Sequence, residues 1–246
     1  MSNLKLHILA IAAHPDDIEL GCAGTLIKHV LAGQAVGIVD LTEGELGTRG
    51  SVALRYEEAA RAAEVMGIAV RENARMADGF FSNDEAHQRR LITYIRKYRP
   101  EIVIANALSD RHPDHGRAGR LIADACFLAG LSKIAATLDG EPQQAWRPRR
   151  VLHMIQDRFM EPTFIVDITE TFPRKMESIR AYTSQFHNPE SAEPVTYIAT
   201  GQFLNDVIAR NALMGKRIGA AYGEGFVCES ITGISSLDAL LLPALP

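Results

Sequence analysis

Residues Leu6–Asp17 read LHILAIAAHPDD. The first eight form an apolar run of strand length, and a turn-forming His-Pro-Asp-Asp follows at once. A short apolar run near the N-terminus can resemble a signal peptide. Here AHPDD follows too directly, and the stretch is read as a buried first strand that is not cleaved. Such a strand suits the interior of a parallel sheet, which is covered on both faces.

Outward from it, strand and helix signals alternate. Ile18–Leu31 has helical spacing, and Ala35–Thr42 is short and β-branched. Val52–Met66 is a helix that Gly67 ends as a C-cap glycine. Ile68–Met76 is a weaker strand, Glu85–Tyr98 an amphipathic helix stopped before Pro100, Glu101–Asn106 a strand and Gly116–Ala129 a helix. Beyond Gly130 the pattern loosens. Strands are expected at Val151–Asp157 and Thr163–Thr169, and helices at Thr171–Ser184 and Gly201–Gly215. Gly223–Phe226 reads as a turn entering a last strand.

This alternation predicts an α/β fold: a Rossmann-like, mostly parallel sheet flanked by helices, with a C-terminal elaboration. One domain is expected over 1–246, with the core at about 1–160 and the elaboration at about 161–246. No repeat or long linker interrupts it.

Composition narrows the function. The chain has 246 residues, 47% hydrophobic and 23% charged, with a net charge of −4, so it carries no basic footprint for nucleic acid. Arg147–Arg150 is a short solvated loop before a strand. No apolar run reaches the roughly 18–20 residues of a membrane span. Cys22, Cys126 and Cys228 are odd in number and far apart, which suits reduced thiols and a cytoplasmic setting.

The chemistry lies in two clusters. His14, Asp16 and Asp17 follow the first strand, and His112, Asp114 and His115 follow the fourth. In a 3-2-1-4-5 sheet these strands are neighbours where the strand order reverses, and ligands bind at that crevice. His14 and Asp17, three apart at a helix start, can share a face and bind one metal, with His115 as a third ligand and one position left open. Such a metal activates water and polarises a carbonyl. Asp16 then stays free as a general base, His112 can stabilise an oxyanion or act as general acid, and Asp114 can orient an imidazole. One His-Pro-Asp motif alone can also be a helix N-cap. Two, each after a strand, favour a shared site. His7, His29, His87 and His153 lie within periodic segments and are read as surface or satisfied core residues.

At these residues the chain resembles the PIG-L/LmbE-like zinc deacetylases. The resemblance implies His14, Asp17 and His115 as zinc ligands, Asp16 as the base and His112 as the oxyanion partner. Thr42–Ser51, Arg55–Gly67, Tyr182–Pro189 and Ala220–Phe226 look like the bacillithiol-biosynthesis branch. That branch deacetylates N-acetyl-glucosaminyl malate, giving glucosaminyl malate and acetate. Arg49 and Arg55 can then hold the malate carboxylates bidentately, although Arg55 can equally pair with Glu58 along its own helix. Tyr197 is the candidate donor to the tetrahedral intermediate, since the family often supplies a tyrosine from this region. The resemblance also implies a homo-oligomer.

Three rivals are carried forward. One is deacetylation of another N-acetylglucosaminide. The second is a non-haem iron oxygenase using two histidines and a carboxylate, since ferrous iron accepts similar ligands, although β-α alternation argues against its expected all-β barrel. The third, a nucleotide-binding module, has only the poor Gly44-x-x-Gly47-x-x-Gly50 spacing behind it.

Overall fold

In the computed structural model, which describes residues 4–188 and 190–241, the run that follows Leu6 is strand β1 (Ile8–Ala12), fully buried. Its side chains alternate between two cores. Leu9 and Ile11 enter one, and Ile8, Ala10 and Ala12 the other.

Helix α1 (Asp17–Leu31), β2 (Val36–Thr42), α2 (Val52–Met66), β3 (Val70–Met76), α3 (Glu85–Tyr98), β4 (Ile102–Ala105) and α4 (Pro113–Ala129) follow in βα alternation. A two-residue-strand hairpin, β5 (Thr137–Leu138) and β6 (Glu141–Pro142), precedes β7 (Arg150–Met154). Then come β8 (Phe164–Asp167), α5 (Phe172–Arg180), α6 (Gly201–Arg217) and β9 (Gly223–Val227).

Seven strands form one sheet in the order β3-β2-β1-β4-β7-β9-β8. The first five run parallel, and β9 is antiparallel to both β7 and β8. The expected mostly parallel sheet is present, and β1 and β4 are direct neighbours, with Ile8 opposite Ile102. Helices α3 and α4 pack on one face, and α1 on the other with α2, α5 and α6.

Local signals explain the element ends. Ser51 caps α2 by accepting from the Leu54 N–H, and Gly67 closes it at φ 75°. Asp84 caps α3 in the same way. Residues 147–149 lead into β7 without regular structure.

One expectation is corrected. Gly223–Phe226 is not a turn but most of β9, an interior strand. A Cβ at Gly223 would fall 2.6 Å from the Ile165 side chain and 2.9 Å from the Gly215 backbone. Glycine is needed there for close packing, not for a bend. Among the described residues no helix is long and apolar enough to cross a membrane. Pro189, in the Tyr182–Pro189 segment, and the last five residues of the C-terminal tail lie outside the described residues.

Candidate metal centre

The carboxyl ends of β1 and β4 bring the two His/Asp clusters together. After β1 the chain turns sharply through His14 and Pro15 into α1. Asp16, immediately before the helix, has φ 109°, a left-handed conformation costly for a side chain with a Cβ. After β4, His112 caps α4, and its Nδ1 accepts the Asp114 backbone N–H at 3.3 Å. Pro113 occupies the first helical position, where its missing N–H costs nothing.

The ring nitrogens of His14, His112 and His115 lie within 4.8 Å of one another. Asp17 stands between two of these rings. Its Oδ2 is 3.5 Å from His14 Nδ1, and its Oδ1 is 3.0 Å from His115 Nε2. Each of these three groups is held from behind. His14 Nε2 faces Asp78 Oδ1 at 3.0 Å and Asp114 Oδ2 at 3.4 Å. His115 Nδ1 faces Asp110 Oδ2 at 2.5 Å. Asn106 and Gln156 donate to the two Asp17 oxygens at 3.1 and 2.9 Å. A carboxylate behind each imidazole fixes its orientation, so His14 Nδ1 and His115 Nε2 both face Asp17.

The charges suit a cation. Burial opposes protonation of His14, but Asp114, Asp17 and Asp78 outweigh it and hold the ring well above its ordinary range. Burial likewise opposes His115, while Asp17 and Asp110 push it up to about 9. Asp17 sits well below the usual carboxylate range because the two imidazoles outweigh its burial. A site that draws protons onto buried histidines stabilises positive charge there. Its N and O donors are those that zinc and ferrous iron accept. The residues therefore fit a divalent metal.

Asp16 is buried beside this cluster and lines the same cavity. Burial raises its carboxyl to about 7, against the opposing pull of Arg55, whose Nη1 is 3.5 Å from Asp16 Oδ2. Arg55 also donates to the Pro15 carbonyl at 3.1 Å. It does not pair with Glu58. Glu58 is engaged by Thr183 and Ser184, and Arg55 is spent on the turn that carries Asp16.

Arg49 is also bound to the protein. Its guanidinium donates to the carbonyls of Ser184 and Pro194 at 2.6 and 2.8 Å and to Ser191 Oγ at 2.9 Å, which fastens the β2–α2 loop to the segment before α6. These contacts occupy the fork expected to grip a carboxylate. Tyr197 sits at the rim of the cavity, 51% exposed, under the Arg111 guanidinium and donating to Asp157 at 3.1 Å. Its hydroxyl is engaged by Asp157. Asp114 is fully buried, salt-bridged to Arg117 at 2.8 Å, and orients His14 rather than His112 or His115.

The sequence reasoning missed Asp78, Asn106, Asp110 and Gln156. All four follow the ends of β3, β4 or β7, and polar residues just beyond parallel strands were the signal that could have found them. Of the histidines set aside, His153 is buried against the Asn106 carbonyl at 2.9 Å, and His7 lies beside His29. The centre opens into a cavity of 370 Å³ that Asp16, Arg55, His112 and Tyr197 also line.

A parallel α/β sheet with a His/Asp cation centre and a separate buried carboxylate defines a metal-dependent hydrolytic enzyme. The pattern of the family described as GlcNAc-PI de-N-acetylase, PIG-L, matches residues 9–126. Diacetylchitobiose deacetylase of Thermococcus kodakarensis is 31% identical over 194 residues, covering 73% of this chain and 70% of that protein. The chain belongs to the PIG-L family of metal-dependent deacetylases.

The crystal structure of the conserved protein TT1542 from Thermus thermophilus superposes with a TM-score of 0.82 at 33% identity, covering 94% of this chain and 98% of that one. Two relatives bear on specificity. A probable N-acetyl-alpha-D-glucosaminyl L-malate deacetylase 2 of Bacillus anthracis is 26% identical, covering 73% of this chain and 81% of its own. The 4-oxalmesaconate hydratase of Pseudomonas putida is 28% identical, covering 76% and 77%. The malate branch is thus a more distant likeness than the diacetylchitobiose deacetylase.

Proposed function

We propose that this chain hydrolyses the acetamido group of an N-acetylglucosaminide, releasing acetate and the free amine, with zinc held by His14, Asp17 and His115. One observation carries the reading. The metal-facing atoms of these three residues converge while Asp78, Asp114 and Asp110 occupy the far nitrogens of both rings.

When bound, the metal polarises the carbonyl and makes water a better nucleophile. Asp16, a buried carboxyl beside the centre, accepts a proton from the attacking water and returns it to the departing nitrogen as the C–N bond breaks. Burial and the neighbouring His14 and His115 push the His112 ring below its ordinary value, which favours its neutral form. Because its Nδ1 accepts the Asp114 N–H, the proton resides on Nε2. That N–H is the donor to the oxyanion that develops on the former carbonyl. Burial raises the Asp16 carboxyl to about 7, close to working pH, and Arg55 opposes that rise.

The finer substrate, N-acetyl-glucosaminyl malate in bacillithiol biosynthesis, drew on Arg49 and Arg55 as carboxylate holders. Both are engaged within the protein, so the substrate class proposed is the wider one. Diacetylchitobiose and the malate glycoside are its two leading members, supported by the names of the relatives.

A second reading is hydration of a carbon–carbon double bond, favoured by the Pseudomonas putida hydratase among the relatives. The test is acetate release by zinc-loaded protein from diacetylchitobiose, N-acetyl-glucosaminyl malate and N-acetylglucosamine, before and after chelator treatment. The proposal expects release from at least one glycoside, lost on chelation and restored by zinc. No acetate from any of them, with water added to an unsaturated dicarboxylate instead, moves the assignment to the hydratase.

A further inference from the structure

A buried carboxylate meets helix α1 (Asp17–Leu31) at its middle. Glu224 of β9 is 1% exposed. Its Oε1 accepts the Gly24 backbone N–H at 2.9 Å, and its Oε2 accepts the Thr25 N–H at 2.7 Å and the Thr25 hydroxyl at 2.6 Å. The partner of Gly24 in a regular helix would be the Leu20 carbonyl. That carbonyl also accepts from Lys175 Nζ at 3.0 Å and Arg210 Nη2 at 2.8 Å. Lys175, wholly buried, closes the set on Glu224 Oε1 at 2.6 Å. Side chains from α5, α6 and β9 thus bind the backbone of one turn of α1. Gly24 lets the segment before α5 pack closely on this turn, since a Cβ there would meet Ile168 at 2.8 Å.

A buried ion pair is a poor device for stability alone, because desolvating two charges offsets most of their attraction. Its position offers another use. The Leu20 N–H donates to the Asp16 carbonyl at 3.0 Å, so the residue that Lys175 and Arg210 grip by its carbonyl also holds Asp16 in its left-handed conformation. Strained backbone persists only where its surroundings over-determine it. Arg210 further donates to the backbone carbonyl of Gln156, whose side chain holds Asp17 at 2.9 Å.

We propose that Glu224, with Lys175 and Arg210, is a positioning residue for the metal centre: through Leu20 and Gln156 it sets the turn that presents Asp16 and Asp17. This rests on the roles proposed above for those two aspartates. It makes the C-terminal strand and helices part of the catalytic apparatus, although of this set only Arg210 lines the cavity.

The test compares Glu224→Gln with Ile95→Ala, a core truncation in α3 remote from the site. Zinc affinity is read by competition with a chromogenic chelator, alongside kcat, KM and Tm. Glu224→Gln is expected to weaken zinc binding and lower kcat by about tenfold or more, with KM nearly unchanged. Ile95→Ala lowers Tm and leaves zinc affinity and kcat as they were. Wild-type zinc affinity and kcat in Glu224→Gln, whatever its Tm, overturn the proposal. If Glu224→Gln does not fold, Arg210→Lys carries the same two readouts, because lysine cannot bridge the Leu20 and Gln156 carbonyls as the fork does. Asp16→Asn separates the two claims. An inactive Asp16→Asn beside an unaffected Glu224→Gln sinks only this inference, whereas an active Asp16→Asn sinks the role of the base itself.

Discussion

Asp110 and His115 share a 2.5 Å hydrogen bond on the side of the imidazole that faces away from Asp17. The carboxylate fixes which nitrogen is free and strengthens it as a donor to a metal. Asp110→Asn keeps the shape and removes the charge. It should weaken zinc binding by about 10- to 100-fold while leaving the circular dichroism spectrum intact. Zinc affinity equal to wild type would show that Asp110 serves only the Arg158 backbone N–H, which it also accepts at 2.6 Å.

Metal and protons compete at this centre. In metal-free protein His115 holds a proton up to about 9, and His14 is also raised well above its ordinary value. Both protons must leave before the nitrogens can bind zinc. Affinity should therefore rise as pH rises towards 9 and fall as pH drops, by up to about two decades per pH unit where both rings are protonated. Chelator competition between pH 6 and 9 in a non-coordinating buffer checks this. A flat profile would mean that these rings are not the ligands.

Arg49 ties the β2–α2 loop to Ser184, Ser191 and Pro194. Removing it as Arg49→Ala leaves those oxygens without a partner, at about 1–3 kcal/mol for each one that stays buried, and loosens one wall of the cavity. KM should rise by a similar factor for every N-acetylglucosaminide, and the loop should become more open to limited proteolysis. A large KM increase confined to the malate glycoside would instead restore Arg49 as a carboxylate holder.

How much was legible in the sequence follows from what each signal depends on. The βα core was readable because local periodicity and caps decide it: Ser51, Gly67 and Asp84 act on their own helices. The pairing of β1 with β4 followed from a topological rule, and it brought His14 and His115 to one crevice. The place of β9 between β7 and β8 was not readable. Gly223 and Gly225 resemble turn residues in sequence, and only the packing of α6 against them shows why glycine is there. Asp78 and Asp110 were passed over for a similar reason. Asp78-Gly79 has the form of a turn, and Asp110 lies in a polar loop, so neither is marked until His14 and His115 are seen to face them. The protein partners of the two arginines, the Pro15 carbonyl and the Ser184–Pro194 segment, were not readable because they are distant in sequence.

The central claim is that a metal at His14, Asp17 and His115 and a base at Asp16 together cleave an acetamide. Acetate released per bound zinc, measured for wild type and Asp16→Asn on the best N-acetylglucosaminide, tests it most directly. The account predicts equal zinc content and a rate lower by about 100-fold or more in Asp16→Asn. Near wild-type acetate release from zinc-loaded Asp16→Asn would contradict it.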